Sequence, residues 1–167
     1  MRSALSANVS VARRRVRLQF ASIVFVCFVS VAHARTWGTK PFDNDAAVSW
    51  IADLKLMGAD AITNALKRVN DEKTGQVPAD VCSTAIAAAS IVAAAKDGST
   101  DLLDPDVLSW LQSSGFKPDG KLAKQAKSAV QTCRGAGRSE LYMYWMGMMN
   151  ATAWIDTVKA LLKRLED

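Results

Sequence analysis

The sequence almost entirely lacks histidine, which excludes most of the common catalytic and metal chemistry. Its single histidine among 167 residues is His33, in an N-terminal segment that we expect to be removed. The remaining chain would hold no imidazole, so it could form neither a Ser-His or Cys-His nucleophile pair nor an imidazole metal site. We therefore expect no cofactor and no metal site.

Net charge is also lacking beyond residue 34. The formal charge of the chain is +5, but residues 1–34 contain five arginines and no acidic residue. Residues 35–167 hold 16 basic and 16 acidic residues. A charge-balanced body has no long-range field to attract a polyanion, so we expect no nucleic-acid partner. The arginines of the first segment are Arg2, Arg13, Arg14, Arg15 and Arg17.

The N-terminal hydrophobic run, residues 18–31, is too short to cross a bilayer, which takes about 20 residues. Basic residues precede it, and Ala32-His33-Ala34 follows with the small–x–small pattern that signal peptidase accepts. We predict a signal peptide over 1–34, cleaved after Ala34, and a helical domain over 35–167. The product would be periplasmic or extracellular, with no stable membrane insertion after processing. The alternative is an uncleaved N-terminal anchor.

No strand pattern of any length is present, whereas apolar residues recur at helical spacing in segment after segment. The sequence predicts an all-α, compact single-domain bundle of about seven helices. The third helix, which we expect to run from Pro78 to about Lys96, is apolar nearly all round. This pattern is typical of a central buried helix.

Cysteine is scarce, with three in the chain. Cys27 would leave with the signal peptide, and Cys82 and Cys133 would remain. Two cysteines in an exported chain more often pair than stay free. If the third and fifth helices run antiparallel, both cysteines lie at the same end of the bundle. We predict a Cys82–Cys133 disulfide; the alternative is two buried free thiols.

The start of the predicted domain carries a recognisable motif, TWGTKPFDND at residues 36–45. It resembles the opening of the bacterial domain-of-unknown-function 4259 family, which has a WGxxPFxND-like stretch before an amphipathic helix. An alanine-rich middle helix, and a Ser139-Glu140-Leu141 entry to a helix containing Trp145, are similar to that family as well. The resemblance covers nearly all of residues 36–167. It implies the fold rather than an activity, since no activity is established for the family.

The motif has a structural and a functional interpretation. In the first, Trp37 and Phe42 anchor an N-terminal arm over the bundle, Asn44 caps the first helix and Asp45 interacts with its dipole. In the second, Asn44, Asp45 and Glu140 line a surface notch that binds a ligand or partner. The hypothetical binding residues are Trp37, Phe42, Asn44, Asp45, Glu140 and Trp145.

Four methionines lie close together near the C-terminus: Met143, Met146, Met148 and Met149. Methionines and aromatics at helical spacing usually fill a core, and we expect that role here. The alternative is an exposed patch for a partner. A copper-type thioether site is the least favoured interpretation, because histidine is absent.

These observations favour an exported, non-enzymatic helical module that binds an unknown protein in the cell envelope. The sharpest form of this hypothesis is an immunity- or inhibitor-type protein. One alternative is a structural envelope domain. A less favoured one is a hydrolase that uses two carboxylates, with Asp43, Asp45, Asp53 and Glu140 as candidates.

Overall fold

Seven α-helices and no strand make up residues 36–166, the part of the chain that the computed structural model describes. The predicted all-α bundle of about seven helices is therefore confirmed for these residues. The predicted signal peptide, the cleavage site at Ala34, His33 and Cys27 lie outside them. The helices are α1 (Asp45–Met57), α2 (Ala59–Asp71), α3 (Ala79–Asp97), α4 (Pro105–Ser114), α5 (Gly120–Cys133), α6 (Glu140–Met146) and α7 (Ala151–Leu165).

Short polar side chains begin four of these helices, and Asn44 does so as predicted. At each of these helices, one side chain accepts a hydrogen bond from a backbone N–H of the first turn. The capping residues are Asn44 for α1, Asp104 for α4, Asp119 for α5 and Ser139 for α6. Each bond satisfies a donor that has no partner within its helix. Asn150 occupies the N-cap position of α7, but its side chain makes no capping hydrogen bond.

The alanine-rich helix α3 is the centre of the bundle and packs against all six other helices. Thirteen of its 19 residues are buried, so the predicted central helix is confirmed. Its alanines let neighbouring backbones approach closely, and their apolar faces provide the hydrophobic contact that stabilises the fold.

Helix α3 is also long and apolar enough to cross a membrane when only length and composition are considered. Within this structure, however, 72% of its most apolar window is buried inside the bundle. The core helix of a soluble domain has the same composition. Its burial by six neighbouring helices accounts for the composition without a bilayer.

A disulfide joins the start of α3 to the end of α5. Cys82 and Cys133 are both fully buried, and their Cα atoms are 5.4 Å apart, within the usual range for a disulfide. The antiparallel packing of these two helices brings their opposite ends together, which confirms the predicted pairing. The hydroxyl of Ser139, at the start of α6, donates to Cys82 Sγ at 3.5 Å, so three helix ends meet at this point.

The far end of α3 is tied to α7 by an ion pair. The Arg164 guanidinium donates to both carboxylate oxygens of Asp97, at 2.7 and 2.9 Å. These bonds lower the pKa of Asp97 below its usual value of 3.8. Because that pKa is lower in the folded state, the pair stabilises the fold above about pH 4 and stops doing so as the pH falls through the folded-state pKa.

We predict that reducing the disulfide lowers the free energy of unfolding by about 4 kcal/mol, because the bond closes a loop of 51 residues in the unfolded chain. Urea denaturation of the oxidised and reduced protein measures the difference. The C82A/C133A variant is the control and should be insensitive to reductant. Equal stability of the oxidised and reduced wild-type protein would contradict the prediction.

Candidate functional site

The N-terminal arm, residues 36–44, is a closed loop held by its own hydrogen bonds. The Trp37 N–H donates to the Asp43 carbonyl at 3.0 Å, and the Asp43 N–H donates to the Lys40 carbonyl at 3.1 Å. The Asp43 carboxylate accepts from the Lys40 N–H at 3.1 Å. A Cβ on Gly38 would lie 2.1 Å from the Asp43 Oδ2 atom, so a larger residue there would displace the Asp43 side chain that bonds to Lys40. The motif residues therefore shape the arm itself.

Asn44 joins the arm to α1 and uses both ends of its buried amide. Its Oδ1 atom accepts from the Ala47 N–H at 2.8 Å, and its Nδ2 group donates to the Pro41 carbonyl at 2.9 Å. The predicted helix cap is thus present. With both polar atoms engaged inside the protein, the Asn44 side chain has little capacity left for a ligand.

A crevice lies beneath the arm, and it is small. Its interior offers about 20 Å³, room for roughly one water molecule. Asn44, Trp145 and Trp154 are among the residues that line it. The two indole rings are stacked with their centroids 5.6 Å apart, and both are buried. Trp145 therefore belongs to the core, and the crevice has no room for a small-molecule ligand.

The other predicted binding residues do not gather at this crevice. Phe42 is buried and anchors the arm as expected, but Trp37 is 61% exposed, so its predicted anchoring role is wrong. Asp45 is exposed on the first turn of α1. The Glu140 carboxylate accepts from the Ala79 N–H at 3.3 Å and so caps α3. The structure does not bring Asp45 and Glu140 together with Asn44 around this crevice.

The four carboxylates considered for a hydrolase are similarly scattered. Asp45, Asp53 and Glu140 are exposed, and Asp43 is bonded within the arm. None of them lines the crevice beneath the arm or the two larger depressions on the protein surface. In the described part of the chain, no three His, Cys, Asp or Glu side chains form a metal-binding group. The hydrolase hypothesis gains no support from this distribution.

The methionine-rich segment is where the structure departs most from expectation. Met143, Met146 and Met148 are 37–54% exposed, and Met149 is completely exposed. The prediction that these residues fill the core is wrong. Tyr144, beside them, is 40% exposed. We call these five residues, Met143, Tyr144, Met146, Met148 and Met149, the methionine surface.

Packing explains why these side chains remain outside. Helix α6 is short, and Leu141 and Trp145, one turn apart, already occupy its inward face against α3 and α7. Met143 lies on the opposite side of the helix, and Met148 and Met149 follow its end at Met146 and are exposed. Residues 141–155 contain no charged side chain. A helix at the protein surface normally has a polar face. The lack of such a face in this segment was the signal in the sequence that its role is unusual.

A known protein family matches most of the chain. The model of the family described as Domain of unknown function (DUF4259) matches residues 36–157. The chain belongs to the DUF4259 family. The match extends from the arm through the methionine surface into α7, so both features lie within the DUF4259 domain. The resemblance seen in the sequence is thereby confirmed. No curated protein and no solved structure matches the chain.

We predict that Asn44→Ala destabilises the DUF4259 domain by about 2 kcal/mol, because it removes a helix cap and leaves the buried Pro41 carbonyl unpaired. Asp119→Ala is the matched control. It removes a cap of the same kind from α5 and should cost about 1 kcal/mol. Urea denaturation measures both values. A smaller loss for Asn44→Ala than for Asp119→Ala would show that Asn44 does not hold the arm.

Proposed function

We propose that this DUF4259 protein is an exported, non-enzymatic helical module that binds another protein through its methionine surface. The observation that carries the proposal is the exposure of five large apolar side chains within seven residues of sequence. Single exposed apolar residues are normal on proteins. A cluster is different, since an exposed apolar patch marks a site of interaction.

Methionine suits such a surface. Its unbranched, flexible side chain adapts to the contours of a partner, and methionine is frequent on surfaces that accept varied sequences. Tyr144 adds a large apolar ring with a polar hydroxyl group, a combination enriched at protein interfaces. Trp145, buried beneath them and stacked on Trp154, gives the surface a rigid base.

The chemistry of the surface specifies an apolar, uncharged patch on the partner. No charge lies in residues 141–155, so nothing there would pair with a charged partner group. A lipid surface is a poorer match, because helices that lie on membranes carry lysine and arginine beside their apolar face. We therefore assign the surface to a protein. An immunity- or inhibitor-type protein would bind its target through a patch of this kind.

We predict that the M143E/M149E variant fails to bind the partner, because two buried carboxylates would meet an apolar surface without compensation. The tagged protein is used to capture partners from an envelope extract, followed by mass spectrometry. L56E is the matched control, since Leu56 is an exposed apolar residue on a different helix. M143L/M149L tests whether apolar area is sufficient.

The supporting result is a protein captured by the wild type, L56E and M143L/M149L but not by M143E/M149E. Equal capture by all four proteins would refute the role of the methionine surface. Neutral phosphatidylcholine vesicles form a separate arm of the experiment. Binding of the wild type to these vesicles, lost in M143E/M149E, would assign the surface to lipid and contradict the proposal.

The export part of the proposal predicts a processed chain. Expressed in bacteria, the protein should be recovered from the envelope fraction with Arg35 as its first residue, as measured by intact mass. Ala34→Lys removes the small residue that signal peptidase accepts and should keep the leader attached. Recovery of the uncleaved wild-type chain from the cytoplasm would contradict export.

A further inference from the structure

We propose that the methionine surface also binds a soft monovalent cation, Cu(I), through the thioether sulfurs of Met143, Met146 and Met149, with Met148 beside them. This inference does not rest on the proposed function. Docking of a protein needs only apolar area, whereas binding of the metal needs sulfur. It replaces the expectation of no metal site, for which the absence of imidazole was the main argument.

The spacing of the methionines along the chain suits a shared metal ion. Four of the six methionines of the chain lie in residues 143–149, three of them at intervals of three residues. Met143 and Met146 are one turn apart on α6, which places their Cβ atoms about 5–6 Å from each other. Methionine has three rotatable bonds beyond Cα, so both sulfurs can reach one ion from these positions.

The backbone after α6 turns tightly before it reaches Met149. The Gly147 N–H donates to the Tyr144 carbonyl at 3.2 Å, and the Met148 N–H donates to the Trp145 carbonyl at 2.9 Å. These bonds between residues three apart are those of a 3₁₀ turn, in which side chains at that spacing are aligned one above the other. Met149 follows this turn and is completely exposed, so its flexible side chain can reach toward Met143 and Met146.

The four methionine sulfurs are also accessible from solvent. All four thioethers are on side chains open to solvent, so a cation can reach them without unfolding the protein. On the other side of α6, Leu141 and Trp145 are fixed in the core, and this holds the segment in one orientation. The site is thus composed of flexible ligands on a rigid base.

The chemistry of the thioether ligands selects the ion. Thioether sulfur is a soft ligand and prefers Cu(I), whereas carboxylates and imidazoles suit Mg²⁺, Zn²⁺ and Cu(II). Residues 141–155 offer none of those harder side chains. The sulfurs are also uncharged, so the full charge of a bound ion stays uncompensated, and a divalent cation would lose more hydration free energy than a monovalent one. Both effects favour Cu(I) and its redox-inert substitute Ag(I).

The affinity of the protein for Cu(I) is measured under nitrogen by competition with a chromogenic chelator. Its affinity for Ag(I) is measured by calorimetry. Both measurements use the full chain with Cys27→Ser, so that the disulfide between Cys82 and Cys133 leaves no free thiol. The comparison variant is M143L/M146L/M149L, whose side chains keep their size and apolarity. M57L is the control, because Met57 is exposed on α1. Thermal unfolding verifies that each variant is folded.

We expect binding of one Cu(I) or Ag(I) per chain and no binding of Zn²⁺. The triple variant should lose affinity by about 100-fold or more, since even changes around metal ligands cost 10–100-fold, and M57L should lose none. Ag(I) should also shift the methyl NMR signals of the four clustered methionines and leave that of Met57 in place. Unchanged affinity in the triple variant, or no binding by the parent, would overturn the proposal. The M143L/M149L capture experiment reports separately on the protein-binding function.

Discussion

The burial of α3 is the constraint on which the rest of the structure depends. A helix that is apolar nearly all round is stable in water only if neighbours cover every side, and six helices do so here. Both ends of α3 are secured in addition, by the disulfide at Cys82 and by the Asp97–Arg164 pair. The seven-helix arrangement follows from this one requirement.

The same requirement explains why the methionine surface is exposed. Helix α6 covers part of α3 with Leu141 and Trp145, and its seven residues then end. The rest of the segment is apolar but has no further core to cover. The arm beside it is closed by its own hydrogen bonds and encloses a crevice too small for a ligand. The arm is therefore a structural element.

The sequence predicted the helices well because their signals are local. Asn44 and Asp119 begin helices, Gly58 ends α1, and each signal acts within one turn. The disulfide was also predictable, because helix order restricts where Cys82 and Cys133 can lie. The positions of the methionines were not, because burial depends on which neighbours remain uncovered. Trp37 was misjudged for the same reason, since its size predicts burial and only the path of the arm places it in solvent.

Oxidation by dilute hydrogen peroxide, followed by peptide mass spectrometry, measures directly whether the four clustered methionines are exposed. We expect oxidation of Met143, Met146, Met148 and Met149 in the folded protein, with Met149 reacting at nearly the rate of free methionine. The α-helical circular dichroism signal should be retained. Protection of all four methionines until denaturant unfolds the chain would contradict this expectation, because the segment would then lie in the core and no methionine surface would exist.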